Sequence, residues 1–415
     1  MFLSKRSASS SLALCSRTQI LRAAAWLGIV AVPLAVGQTG SAHQSGATFA
    51  TLSSKADAAR DADRLDEAIG LYRRALALSP SWAEGWWSLG TIYYDRDAFA
   101  KAATDFQKLT ALQPQNGTGF AMLGLSEFEL GGDELALKHI QKGKNLGLQT
   151  NPDLWHVVLF HEGVLLQRKG SFQAAQDTLE ELCLQTGSSD KVANVLGMAM
   201  LRVNAKDPPP QGSTDAAVVL GIGRAECLAG QKKYDEARPA YEGIVSQNPA
   251  FPNIHYAFGL FLIELRDIAG AVEQFKEEIE NHPDDVVARL RIAAVDYKVN
   301  SAEAIPFAEE AVNLDPRQPF THYLLGLLLL DIDDYASAIP ELEVAQKGLP
   351  REPKIYFALG SAYSRAGRRK EAAQARATFA RLTEEQKKTA GAEQPEPRSS
   401  GPEQIPVGDI PTAPH

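Results

Sequence analysis

Chemistry would show first in the spacing of histidines, cysteines and carboxylates. "HEG" at His161 sets a glutamate beside a histidine, the opening of a helical zinc-hydrolase signature. That signature needs a second histidine four residues on, and position 165 is leucine. His156 and His161 are five residues apart, roughly 140° around a helix, so their rings face different ways. "GIGRAE" at Gly221 has the glycines of a dinucleotide loop but lies within an apolar helical pattern, not at a strand-to-helix turn. No G-x4-G-K-[ST] segment exists to cradle a phosphate. His255 and His322 fall where Trp86 falls in its own stretch, which reads as core packing. Cys183 and Cys227 lie inside apolar helical patterns and are expected to be buried small hydrophobes, with their oxidation state left open. Acidic runs such as "FKEEIENHPDD" follow a solvent face. The residues offer no catalytic, metal or cofactor constellation, and the expectation is a protein that is not an enzyme.

The chain has 415 residues, 45% hydrophobic and 22% charged, with a formal net charge of -9. It is large enough to bury a substantial core. Residues 1–42 carry Lys5, Arg6, Arg17 and Arg22 and no acid, so removing them leaves 38 basic against 51 acidic residues, a balance of -13. So acidic a body argues against nucleic acid as a partner, because phosphate binding relies on clustered Lys and Arg. The leader itself has a basic flank, an uncharged stretch from Ala23 to Val36, and small residues at Gly40 and Ala42. That is the build of a secretory signal peptide, with cleavage expected after Ala42. Its apolar core is shorter than the roughly 20 residues of a spanning helix. An uncleaved anchor is the alternative, and would be the only membrane contact. The expected location is periplasmic or secreted.

What positions the side chains is a repeat. Gly90 to Gly124, Ala68 to Ala102, Ala102 to Ala136, Pro80 to Pro114, Pro249 to Pro283, Pro316 to Pro350 and Gly326 to Gly360 are all separated by 34 residues. Each unit reads as two amphipathic helices. The first is seen in Trp86, Leu89, Gly90 and Tyr93, and the second in Ala102 and Phe106, with Pro114 closing the unit because it cannot continue a helix. One such unit cannot bury both faces, so neighbours must stack.

These positions resemble the tetratricopeptide repeat, W-x2-L-G-x2-Y followed by G-x-Y-x2-A, F-x2-A and P. The match is fullest at Trp86, Leu89, Gly90, Tyr93, Phe99, Ala102, Phe106 and Pro114. The resemblance implies an all-α solenoid, a right-handed superhelix of about nine helix-turn-helix repeats, acting as a non-catalytic protein-protein interaction scaffold, here of the exported bacterial type. It also implies a concave groove lined by the first helix of each unit. At the family's fifth and twelfth positions stand Trp87, Tyr94, Phe128, Phe160, Tyr256, Tyr297, Tyr323 and Phe357. An apolar groove of this kind suits an amphipathic helix or an extended apolar segment of a protein or peptide partner. The second reading is a self-associating structural subunit, or an accessory subunit of an envelope or secretion complex; the oligomeric state is left open.

The expected organisation is a signal peptide at 1–42, an N-terminal block of about four repeats at 43–187, a half-repeat helix and proline loop at 188–217, a C-terminal block of about five repeats at 218–388, and a disordered Pro-rich tail at 389–415. "DKVANVLGMAMLRV" reads as a first helix without its partner, and Pro208 to Pro210 cannot be helical.

Overall fold

A computed structural model describes residues 41–148, 152–297 and 299–392. The expected leader, apart from Ser41 and Ala42, lies outside them, as does the tail beyond Ala392. Among the described residues there are nineteen α-helices and no strand. The fold is an all-α solenoid of helical hairpins. The described residues divide into two compact units, one up to Leu166 and the other from Gln167 onward.

In the first unit α1 (Ser41–Asp61) pairs with α2 (Leu65–Leu78), α3 (Ala83–Asp95) with α4 (Phe99–Leu112), and α5 (Gly117–Glu129) with α6 (Asp133–Leu146). Helix α7 (Pro152–Lys169) follows and runs through the division. The second unit continues with α8 (Phe172–Thr186), α9 (Asp190–Met200), α10 (Thr214–Gly230) and α11 (Tyr234–Gln247). Four hairpins complete it: α12 (Ile254–Glu264) with α13 (Ile268–Asn281), α14 (Val286–Asp296) with α15 (Ser301–Leu314), α16 (Pro319–Asp331) with α17 (Tyr335–Gly348), and α18 (Pro353–Arg365) with α19 (Arg369–Ala392).

The repeat's small and large residues are two halves of one contact. A Cβ on Gly90 would lie 2.7 Å from the ring of Phe106, and one on Gly259 would lie 2.5 Å from Phe275. Both phenylalanines are completely buried. Glycine lets each ring fill the seam between the two helices of its hairpin, and burying such a ring contributes roughly 1.5–3 kcal/mol. In the second unit, Leu290 of α14 packs with Leu324, Leu325 and Leu328 of α16. One repeat later, Tyr323 of α16 packs with Ile355, Ala358 and Leu359 of α18. In these last repeats each hairpin thus covers the one before it.

Within a hairpin the two helices are joined by a tight turn with a residue in the left-handed region. That residue recurs with the repeat: Asp63 (φ 58°), Asp97 (φ 56°) and Gly131 (φ 77°) in the first unit, and Lys232, Arg266, Asp333 and Gly367 in the second. Most are not glycine, so the turn's hydrogen bonds must hold them there. Between hairpins a different device recurs. Trp86 donates from Nε1 to the carbonyl of Pro80 at 2.8 Å. The Nε2 of His255 meets the carbonyl of Pro249 at 3.0 Å, and that of His322 meets Pro316 at 2.9 Å. His255 and His322 are indeed buried, at 6% and 7% exposure, and they replace an indole with a ring that reaches the same proline carbonyl.

Three expectations are corrected. The helix read as partnerless, α9, packs along α10 so closely that a Cβ on Gly197 would collide with the carbonyl of Val219, and one on Gly223 with that of Ala193. Prolines do not only close units: Pro239, Pro306 and Pro340 stand at the sixth residue of α11, α15 and α17, where each removes one backbone hydrogen bond. The tail read as disordered from residue 389 is helical as far as Ala392.

Candidate partner-binding site

The first unit presents its predicted groove residues half-buried, each braced by a second ring. On α3, Trp87 and Tyr94 are seven residues apart, two turns along one face. Trp87 leans on Phe106 with ring centroids 5.7 Å apart, and Tyr94 meets Phe99 at 5.4 Å. Phe128 at the end of α5 stands edge-to-face on His161 of α7 at 4.7 Å, and Phe160 meets the same imidazole at 5.4 Å. His161 is itself buried, its Nδ1 2.7 Å from the carbonyl of Val157. The histidine considered for zinc is therefore an aromatic spacer between two groove positions. Beside it, Glu162 is buried and paired with Lys144 at 2.6 Å. Among the described residues, no group of three or more His, Cys, Asp or Glu side chains is placed to hold a metal ion.

The second unit spends the equivalent positions differently. Tyr256 is 3% exposed. The guanidinium groups of Arg202 and Arg291 each lie 5.8 Å from its ring centroid. Arg291 also donates to the Tyr256 hydroxyl at 3.1 Å and to Oε1 of Gln173 at 3.2 Å, while Arg202 covers the ring of Phe172 at 5.0 Å. These side chains, drawn from α8, α12, α14 and the segment after α9, plug the space that Tyr256 would have offered. Tyr297 is half-buried against the last repeats, and Tyr323 is 8% exposed within their core. Phe357 is the opposite case, at 64% exposure with Phe379 of α19 5.5 Å away. Repeat spacing missed Arg202, because it sits outside the 34-residue register. It also missed His161, whose aromatic role needs the neighbouring helix to be in view.

A buried polar cluster lies between α8, α10 and α11. Tyr241 donates its hydroxyl to Glu226, and Gln176 donates to the other Glu226 oxygen at 2.9 Å. Burial raises the carboxyl pKa of Glu226, and it raises that of Glu180 together with the adjacent Glu226 charge. One Glu180 oxygen is buried without a hydrogen-bond partner. Next to this pair, Cys183 of α8 and Cys227 of α10 form a disulfide across 44 residues, Cα atoms 5.4 Å apart. The two thiols read as separate small hydrophobes are one covalent clamp. Their pairing was hidden because the intervening proline loop and α9 place them together only in three dimensions.

Among the described residues no helix is long and apolar enough to cross a membrane. A family model described as "Tetratricopeptide repeat" matches residues 54–117, 223–286 and 323–386. The comparison with curated proteins returned no match. Among solved structures, "MamA 41-end from Desulfovibrio magneticus RS-1" is 24% identical, over 41% of this chain and 96% of that one, with a TM-score of 0.38. A structure described as "Crystal structure of MamA protein" is 16% identical over 44% of this chain and 98% of that one, with a TM-score of 0.38.

Proposed function

The chain is a tetratricopeptide-repeat protein, and on that premise we propose that it is a non-catalytic scaffold that binds a partner segment along the first helices of its N-terminal repeats. One observation carries this reading: Trp87 and Phe160 stay partly open at the fifth repeat position, where the second unit's own side chains bury Tyr256 and Tyr323, and Tyr94 and Phe128 at the twelfth position are half-buried beside them. Large rigid rings that lose little entropy on contact are the usual anchors of protein recognition. An occupant with two or three apolar side chains at helical spacing fits a row of this kind. The net acidity of the body supports basic flanks on that occupant.

Selection of displayed peptides on the chain beginning at His43 tests the proposal. The expected winners carry apolar anchors and lose binding to Trp87→Ala and Phe128→Ala. Winners that bind both variants as well as the parent would overturn it.

The location belongs to the same proposal: export through the leader into a bacterial cell envelope or beyond. The basic flank, short apolar core and small residues before His43 support it, and so does the Cys183–Cys227 disulfide, since such bonds persist in oxidising compartments. N-terminal sequencing of the protein recovered from a periplasmic or culture fraction should begin at His43. Recovery only in the cytoplasm with Met1 intact would refute it.

A further inference from the structure

The fifth repeat position is covered everywhere in the second unit but at its end. Tyr256, Leu290 and Tyr323 are 3%, 0% and 8% exposed; the first helix of the following hairpin covers Leu290 and Tyr323, and with Arg202 it covers Tyr256 through Arg291. Phe357 holds the same position in the last hairpin and is 64% exposed, with Phe379 of its own hairpin beside it. The face that would receive a tenth hairpin therefore leaves a partly exposed pair of rings, Phe357 and Phe379.

We infer that this face pairs with the same face of a second copy of the chain, as an isologous dimer. Charge placement on α19 points to self-pairing. Arg376, Ala380 and Glu384 are exposed at i, i+4 and i+8, with the stem of Arg376 lying along Gly360 of α18. Two such helices laid antiparallel about Ala380 set Arg376 of each copy opposite Glu384 of the other. Among the described residues, neither side chain has an ion-pair partner within its own chain. The small Ala380 lets the two helices approach at the axis, where the Phe357 and Phe379 rings of both copies meet. Among the described side chains of α1, those exposed include Thr48, Ala50, Thr51, Ser54, Lys55 and Ala58, none of them large and apolar. A head-to-tail contact would set the rings against these small and polar side chains of α1, whereas a two-fold pair sets ring against ring and closes on itself.

Sedimentation equilibrium of the chain beginning at His43, across the micromolar range, tests this. The expected result is a monomer–dimer equilibrium weakened about tenfold or more by Arg376→Glu and by Glu384→Arg, and restored in the double exchange. Phe357→Lys should give a monomer with an unchanged melting transition. A chain ending at residue 392 should dimerise as the longer one does. A monomer at every concentration, a dimer indifferent to the charge exchange, or a dimer that forms only when the tail is removed would each overturn the inference. Peptide capture by α3 and α5 is read independently, so loss of one result leaves the other standing.

Discussion

The hydroxyl of Tyr356 donates to the carbonyl oxygen of Pro350 over 2.9 Å, six residues upstream. Trp86, His255 and His322 make the same connection to Pro80, Pro249 and Pro316, so one structural bond is carried by three kinds of ring. Each pins the start of a first helix to the turn that precedes it. Tyr356→Phe removes the bond and nothing else, and thermal unfolding should show a loss of about 0.5–1.5 kcal/mol. An unchanged melting temperature would mean that the bond is incidental.

The crossing of α9 and α10 gives a sharper prediction. Gly197→Ala or Gly223→Ala drives a methyl group into backbone, which cannot swing aside as a side chain can. Each should cost about 1–3 kcal/mol. Gly243→Ala, in the middle of α11 with nothing within 4 Å of its added carbon, should instead stabilise the protein by about 0.5–1 kcal/mol. Equal melting temperatures for all three variants would dissolve the account of the half-repeat.

Thiol titration of the unfolded chain beginning at His43 should find no free sulfhydryl before reduction and two after it. Closing a 44-residue loop is worth about 4 kcal/mol in the unfolded-chain entropy model, so reduction should lower the melting transition clearly. Two reactive thiols in the untreated protein would remove the clamp between α8 and α10.

Stability should fall as pH rises from mildly acidic to mildly alkaline. Burial pushes the Asp105 carboxyl up to about 6, against an ordinary value of 3.8, and burial beside Glu226 raises Glu180. A carboxyl whose folded pKa lies above its unfolded one contributes stability that is complete below the unfolded value. That contribution disappears as pH climbs through the folded value. For Asp105 the window runs from about pH 4 to pH 6; for Glu180 it extends upward from the usual carboxylate range. Asp105→Asn and Glu180→Gln should raise the melting temperature at pH 8 and flatten its pH profile. A parent protein equally stable at pH 5 and pH 8 would contradict this.

The architecture was legible because stacking imposes one chemical demand every 34 residues. Gly90 must be small since Phe106 needs the space, and the same pair returns as Gly259 and Phe275. What a period cannot report is where the chain meets itself across several repeats. Arg291 reaches Gln173 over 118 residues and, with Arg202, closes over Tyr256, so a position shared with open residues elsewhere is filled here. The disulfide escaped for the same reason. The proline contacts escaped for another: Trp, His and Tyr look unlike in sequence, and only their shared acceptor shows that they are equivalent.

Calorimetric titration of a selected peptide against Trp87→Ala, Tyr94→Ala, Phe128→Ala and Phe160→Ala tests the central claim most directly. The account predicts at least two neighbouring variants weakened tenfold or more, about 1.4 kcal/mol each, with melting transitions preserved. Affinities within twofold of the parent for all four variants would contradict it.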